Sequence, residues 1–192
     1  MPVSTNEEIT YREATSADSR AVAVVNVRSW QESFRGVVPQ AHLDGMNYEK
    51  RAAAFAERFE QRERARVADG GADFYQMIVA ERAGASAVGY VDFGPPRETR
   101  FGPFAAELYS IYVLPEQQRR GVGGRLFRLT ADALLARGRR SMYLQTLEAS
   151  PYRNFYERMG GRPVGRVTLQ IGGVDFVELA YGWDDLSETL PK

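Results

Sequence analysis

The sequence contains no cysteine and only one histidine, His42, among its 192 residues. The absence of cysteine excludes disulfides, cysteine nucleophiles and thiolate metal sites. A single histidine leaves no histidine cluster for a metal, so no metal site is expected. Lysine is also scarce, because Lys50 and Lys192 are the only two and arginine carries nearly all of the positive charge.

The sequence also has no excess of either charge and no long apolar run. The formal net charge is 0, which implies no general attraction to nucleic acid or to a membrane. No apolar run approaches the ~20 residues of a membrane span, and residues 1–8 lack the apolar region of a signal peptide. A soluble, cytoplasmic protein is the simplest interpretation. We expect one domain over residues 9–183, with tails at 1–8 and 184–192.

The segment from residue 108 to residue 135 organises the chain. Residues 108–114 are apolar and rich in aromatic and β-branched side chains, which predicts a strand ending at Pro115. An arginine- and glycine-rich turn follows at 118–124, and apolar residues then recur at helical spacing. A strand, a glycine turn and a helix together direct free N–H groups toward one point, which suits a phosphate.

The turn has a second interpretation, because glycines before a helix are common and a plain connection stays open. Two familiar phosphate motifs do not fit: the Walker pattern needs Lys-Ser/Thr where Arg125 follows Gly124, and GxGxxG needs a glycine at Phe127. The pattern that fits is Gln/Arg-x-x-Gly-x-Gly/Ala at residues 118–123. After an apolar strand, this pattern resembles the acetyl-CoA site of the GNAT N-acetyltransferase superfamily.

Two further stretches are similar to this family. Glu107 opens the organising strand, where family members often carry a catalytic glutamate. Residues 147–160 contain Phe-Tyr-Glu at 155–157, as many members do. Two residues depart from the family pattern: Ser150 stands where an asparagine often bonds CoA, and Gly161 stands where phenylalanine is frequent.

The order of predicted elements also resembles the GNAT fold over nearly all of residues 9–183. The order is a strand, two or three helices, three strands, a helix, a strand, a helix and two strands. The strands on either side of the helix after the turn would be parallel neighbours, because a crossover helix joins them. We therefore expect a single-domain α/β (α+β) fold with a mixed, mostly antiparallel sheet of about seven strands, one parallel pair, and helices on both faces.

The resemblance implies acetyl transfer from acetyl-CoA, as co-substrate, to a primary amine of a small molecule or peptide. The composition predicts no metal, nucleic acid or membrane partner. Glu107 would be the base and Tyr156 the acid that protonates the leaving thiolate. Strand alternation puts Glu107, Tyr109, Ile111 and Val113 on one face, barring a bulge.

The resemblance also implies the binding residues. Acetyl-CoA would contact the strand backbone, the turn and one residue before the last helix: Ile111, Tyr112, Val113, Gln118, Arg119, Arg120, Gly121, Val122, Gly123, Gly124, Arg125 and Ser150. We expect the acceptor side of the pocket to be lined by Trp30, Phe34 and Tyr109.

Each assignment has a structural alternative. Glu107 could be a residue that caps an exposed strand start and has no catalytic role. Tyr156 could be a core tyrosine, and Trp30 and Phe34 could be core residues. The arginines of the turn could be solvated charge. The whole domain could also bind acyl-CoA without turnover, as a catalytically silent regulatory module. The sequence gives no direct sign of oligomeric state and leaves a homodimer open.

Overall fold

The computed structural model describes residues 8–68, 74–83 and 86–189. It confirms the predicted order of elements. The strands are β1 (Ile9–Glu13), β2 (Gln76–Arg82), β3 (Ala87–Gly94), β4 (Ala106–Val113), β5 (Met142–Leu147), β6 (Arg162–Ile171) and β7 (Val174–Trp183). The helices are α1 (Ser19–Ser33), α2 (Gln40–Asp44), α3 (Tyr48–Ala68), α4 (Val122–Leu135), α5 (Arg153–Arg158) and α6 (Leu186–Thr189).

The seven strands form one mixed sheet in the order β1-β2-β3-β4-β5-β7-β6. Its one parallel pair joins β4 to β5, and the other pairs are antiparallel. This parallel pairing extends only from Ala106 and Met142 to Leu108 and Leu144. Beyond that point the two strands diverge, so a gap opens between residues 109–113 of β4 and residues 145–147 of β5.

A bulge in β4 lies where the gap begins. Asp92 of β3 pairs with Ser110 and Phe93 pairs with Leu108, so Tyr109 has no partner residue. The extra residue reverses the alternation of side chains. The prediction of one shared face is therefore wrong: Glu107 and Tyr109 point to one side of the sheet, and Ile111 and Val113 to the other.

Helices cover both faces of the sheet, as expected. On the α1/α3 face, the Tyr90 hydroxyl accepts a hydrogen bond of 2.8 Å from Asn26 of α1, and its ring packs 5.8 Å from Phe55 of α3. On the α4 face, Phe127 of α4 is buried, and its ring centroid lies 6.1 Å from that of Phe155 in α5.

A second, smaller hydrophobic cluster lies apart from the main core. It contains Phe34, Val38, Leu43, Leu147 and Ile171, and we call it the second cluster. Its members come from the segment between α1 and α2, from α2, and from the ends of β5 and β6. The second cluster therefore closes one end of the α1/α3 face, beside the wide end of the gap.

The C-terminal segment departs from the prediction. Leu186 is buried in the core, and Asp185 forms an ion pair of 2.6 Å with Arg140. Residues 184–189 are therefore packed against the domain rather than forming a tail. The remainder of that predicted tail and residues 1–7 of the N-terminal one lie outside the described residues. No helix in the described ranges is long and apolar enough to cross a membrane.

Candidate active site

The turn after β4 leaves backbone N–H groups open at the start of α4. Gly121 is the N-cap with φ of 85°, a left-handed conformation that glycine adopts without steric cost. The first backbone hydrogen bond of the helix runs from Arg125 N to Gly121 O, at 2.9 Å. The N–H groups of residues 122–124 precede that bond and have no partner within the helix. They lie at the positive end of a fourteen-residue helix.

Three arginines surround this turn. Arg119, Arg120 and Arg125 are exposed, and none of them forms an ion pair within the part of the chain that the structure describes. Arg119 also has φ of 59°, an uncommon conformation for a residue with a side chain. The predicted phosphate site thus combines free N–H groups with three uncompensated cations.

The edge of β4 that faces the gap also carries free backbone groups. Leu114 N–H donates to Val88 O at 2.9 Å, so alternate residues of β4 direct their backbone to β3. Tyr112, which pairs with Tyr90, belongs to that set, whereas Ile111 and Val113 face the gap. The expected contact between the Tyr112 backbone and acetyl-CoA is therefore wrong, because the Tyr112 backbone is directed to β3 and not to the gap.

The side chain of Gln118 connects the two sides of the gap. Its Nε2 donates to Val113 O at 3.0 Å, and its Oε1 accepts a hydrogen bond of 3.0 Å from the Tyr152 hydroxyl. Val113 O also accepts from Ser29 Oγ at 3.2 Å. Gln118 therefore fastens the end of β4 to the start of α5, and its amide is already engaged by the protein.

Tyr156 projects from α5 to the β5 side of the gap. Its hydroxyl interacts with the Thr146 side chain, and its ring lies 6.0 Å from that of Tyr181. Burial raises the pKa of the Tyr156 hydroxyl, and the bond to Thr146 only partly opposes this. The hydroxyl is therefore protonated at neutral pH and is available as a proton donor.

The two departures from the family pattern have local explanations. Ser150 is buried, and its Oγ accepts a hydrogen bond of 3.3 Å from the Tyr152 N–H. At Gly161, an added Cβ would lie 2.5 Å from Cζ2 of Trp183. The Trp183 ring, fixed by a 2.8 Å bond from Nε1 to Met159 O, occupies the space that a side chain at 161 would need.

Glu107 is completely buried and fully hydrogen-bonded. Its Oε1 accepts from Nε (2.9 Å) and Nη2 of Arg97, and its Oε2 accepts from the Arg97 N–H and the Tyr143 hydroxyl, both at 2.8 Å. A carboxylate offers about four acceptor positions, and all four are filled. Glu107 is thus no exposed strand cap, and its role as the base stays a prediction.

Tyr109 lies in a cavity of about 330 Å³ on the α1/α3 face. Its ring stacks on Tyr75 at 5.6 Å, and its hydroxyl donates to Pro95 O. The cavity is also lined by Arg58, Gln61, Arg62, Asp92 and Arg97.

Asp92 is a cavity residue that sequence reasoning missed. It is completely buried and pairs with Arg62 at 2.5 Å. Its Oδ2 has no hydrogen-bond partner within the described residues. Burial raises the pKa of Asp92, and Arg62 opposes this. The only signal in the sequence was one charge inside an apolar strand.

Trp30 and Phe34 are not close neighbours of Tyr109. Trp30 is half-buried, packs 4.8 Å from Phe34, and bonds the Tyr112 hydroxyl. Phe34 is 6% exposed and belongs to the second cluster. The three predicted acceptor residues thus divide between two places on the α1/α3 face.

Glu178 of β7 is a second acidic residue that sequence reasoning missed. It is half-buried and interrupts the apolar run of residues 176–180. Its register opposite Leu147 puts it level with the wide end of the gap, with β5 between them. Among the described residues, no group of three or more histidine or carboxylate side chains could hold a metal ion.

Comparisons with known proteins agree on one family. The sequence profile of the Acetyltransferase (GNAT) family matches residues 30–161. The Bacillus subtilis (strain 168) protein named "Uncharacterized N-acetyltransferase YuaI" is 33% identical over 179 residues, which cover 93% of this chain and 95% of that protein.

Solved structures show the same fold. The paia N-acetyltransferase of Thermoplasma acidophilum, in complex with coenzyme A, has a TM-score of 0.67 at 16% identity and covers 92% of this chain and 99% of its own. The Salmonella typhimurium protein yncA, with acetyl-CoA, has a TM-score of 0.59 at 19% identity and covers 94% and 95%.

Proposed function

Because the chain belongs to the acetyltransferase (GNAT) family, we propose that it transfers the acetyl group of acetyl-CoA to a primary amine of a small molecule or peptide. The observation that carries this proposal is the continuity of two features. The gap between β4 and β5 leads to a turn with open N–H groups at residues 122–124 and three arginines that form no ion pair with any described residue.

These features match the chemistry of acetyl-CoA. The pyrophosphate would accept hydrogen bonds from the N–H groups of residues 122–124, and Arg119, Arg120 and Arg125 would neutralise the phosphates. The pantetheine arm would lie in the gap and pair with the backbone of Ile111 and Val113 as an added strand does. A backbone N–H at the same edge would hold the oxyanion that develops on the thioester carbonyl.

The acceptor reaches the gap from the α1/α3 face in this proposal, because the turn and α5 lie on the other side. Its nitrogen attacks the thioester carbon, and the C–S bond breaks. Tyr156 protonates the sulfur that leaves. The family resemblance assigns removal of the amine proton to Glu107, and that role requires exchanging one of its four hydrogen bonds for a water molecule or for the amine.

A thiol-release assay with acetyl-CoA tests the proposal. The acceptors are small amines, polyamines, amino acids and peptides with free N-termini, and mass spectrometry identifies the acetylated product. The proposal predicts CoA release in proportion to the acetylated amine. Binding of CoA with no release above the rate without amine would indicate the silent acyl-CoA module instead. Two departures from the family pattern, Ser150 and Gly161, support that alternative. The absence of a side chain at Gly161 is explained by the Trp183 ring that packs there, so this departure no longer argues for a silent module.

A further inference from the structure

The proposed reaction needs a proton acceptor on the α1/α3 side of the gap. An amine with a pKa of about 10 arrives as an ammonium ion and cannot attack before it loses a proton. Four carboxylates lie on this side of the sheet near the gap. Glu107 has all of its acceptor positions filled, and Glu98 accepts a 2.9 Å bond from Gln145 and pairs with Arg100. Asp92 is completely buried and paired with Arg62. The fourth is Glu178.

Strand register places Glu178 one strand beyond the gap, at the level where the gap is open. Glu178 pairs with Leu147 of β5, and the β5 residues at this level have no partner in β4. Side chains of paired residues share a face, so Glu178 points to the α1/α3 face with Leu147. Phe176, two residues earlier in β7, packs against the second cluster with Leu147, which agrees with this orientation.

The carboxylate of Glu178 has no partner among the residues that the structure describes. Within the described residues it forms no hydrogen bond and no ion pair, although it is half-buried. Burial raises its pKa; Arg97 opposes this, while Glu98 and Glu107 add to it. It also lies within electrostatic range of the Tyr112 hydroxyl. A partly desolvated anion without a partner destabilises the fold, and an ammonium ion would relieve that cost.

We propose that Glu178 binds the ammonium group of the acceptor and takes its proton, an inference that rests on the acetyl transfer proposed above. The proton moves from nitrogen to the Glu178 carboxylate and leaves the free amine. The nitrogen lone pair forms the C–N bond, and the C–S bond electrons stay on sulfur. Sulfur takes a proton from Tyr156, and the second proton lost from nitrogen restores Tyr156. The Glu178 proton is released to solvent, so one proton leaves per turnover.

The role in binding also defines a class of acceptor. An amine that enters as a cation gains the Glu178 carboxylate as a partner and has Glu98 nearby. The Trp30 ring and the Tyr112 hydroxyl lie on the same face. Arg51, within electrostatic range of that hydroxyl, adds a positive charge that the two glutamates must outweigh. Amines that stay protonated at neutral pH should therefore be better substrates than weakly basic aromatic amines.

The test compares Glu178→Gln with wild type and with Asp175→Asn, which removes an exposed carboxylate from the same strand. The substrate is the fastest amine of the panel described above. For Glu178→Gln we expect kcat/KM for the amine to fall about 10²–10⁴-fold at neutral pH, with CoA affinity by calorimetry unchanged. The deficit should shrink as the pH approaches the pKa of the amine, because the free amine then needs no base. Asp175→Asn should match wild type.

Two results would overturn the assignment. The first is a folded Glu178→Gln enzyme that keeps wild-type kcat/KM across the pH range while the wild type is active. This result would overturn the role of Glu178 but not the acetyl transfer, and Glu107 would again be the expected proton acceptor. A deficit that stays constant up to the pKa of the amine also overturns the role of Glu178, because a missing base would be compensated there. A wild type that releases no thiol with any amine overturns the proposed function, and this inference with it.

Discussion

The indole Nε1 of Trp30 donates a hydrogen bond of 2.7 Å to the hydroxyl of Tyr112, and this bond joins α1 to β4 where the gap is open. Burial raises the pKa of that hydroxyl to about 12, while the bond from Trp30 opposes the shift. Tyr112 therefore stays protonated at neutral pH. The pair fixes one wall of the region that we assign to the acceptor.

The Trp30–Tyr112 bond predicts the effect of Trp30→Phe. The variant keeps an aromatic ring against Phe34 but loses the N–H donor. We expect a loss of about 1 kcal/mol in unfolding free energy and a rise of several-fold in the KM of the amine, with the KM of acetyl-CoA unchanged. Steady-state kinetics with each substrate varied in turn checks this. Equal changes in both KM values would contradict an acceptor-side position.

Phe34→Ala is the contrasting variant. Phe34 is buried in the second cluster, so removing its ring should lower the free energy of unfolding by about 3–5 kcal/mol. Urea denaturation measures this. The earlier expectation that Phe34 contacts the acceptor would instead give a raised KM for the amine and little loss of stability.

Gly123 provides a test of the phosphate site. A Cβ at this position would lie 3.8 Å from Phe155 and Val113, which is ordinary contact, so Gly123→Ala should fold normally. Gly123→Asp adds a negative charge where the pyrophosphate should bind. We expect it to lose at least tenfold in CoA affinity by calorimetry, with an unchanged circular dichroism spectrum. Unchanged affinity in a folded Gly123→Asp protein would remove the turn as the CoA site.

Tyr156→Phe distinguishes a catalytic role of Tyr156 as proton donor from a purely structural role in the core. The phenyl ring keeps the packing against Tyr181, whereas the hydroxyl beside Thr146 is lost. We expect kcat to fall about 10²–10⁴-fold, with CoA affinity nearly unchanged. Because slow product release can hide a chemical step, single-turnover rates should be measured beside kcat. A wild-type single-turnover rate would remove Tyr156 as the acid.

Glu178 should also reveal itself in the pH dependence of stability. Its pKa is raised in the folded protein, so folding favours the protonated form. Below the ordinary glutamate pKa of about 4.3, Glu178 is protonated in the folded and in the unfolded protein, so its ionisation causes no difference in stability between wild type and Glu178→Gln. As the pH rises through the raised pKa, the folded wild type bears the cost of the buried charge, and glutamine avoids it.

Glu178→Gln should therefore melt at a higher temperature than wild type at neutral pH, and the difference should disappear at acid pH. Thermal unfolding followed at several pH values measures this difference, with Asp175→Asn as control. A variant that is less stable than wild type at neutral pH would mean that the carboxylate has a stabilising partner in solution.

The sequence was sufficient for the order of elements, because residue periodicity separates helices from strands and a crossover helix requires a parallel pair. It could not reveal the bulge at Tyr109, since one extra residue leaves the apolar pattern of β4 intact. It also missed the partners of Glu107. Arg97 and Tyr143 come from a loop and from another strand, and only the folded sheet brings them together.

Glu178 was missed for a related reason. Its importance depends on which strand lies next to β7 and where that strand leaves β4, which are properties of the sheet and not of the local sequence. The phosphate site at the glycine turn could be predicted because its residues are seven consecutive positions, 118–124. The region that we assign to the acceptor is assembled from α1, β4 and β7, and no single stretch of the chain encodes it.

The most direct test of the account is simultaneous measurement of CoA thiol release and acetylated amine with the wild-type protein at neutral pH. We expect the two products to appear in equal amounts, at a rate that saturates with acetyl-CoA and with the amine. At sub-saturating acetyl-CoA, Gly123→Asp should lower that rate at least tenfold. CoA binding to the wild type without thiol release for any amine in the panel would contradict the account.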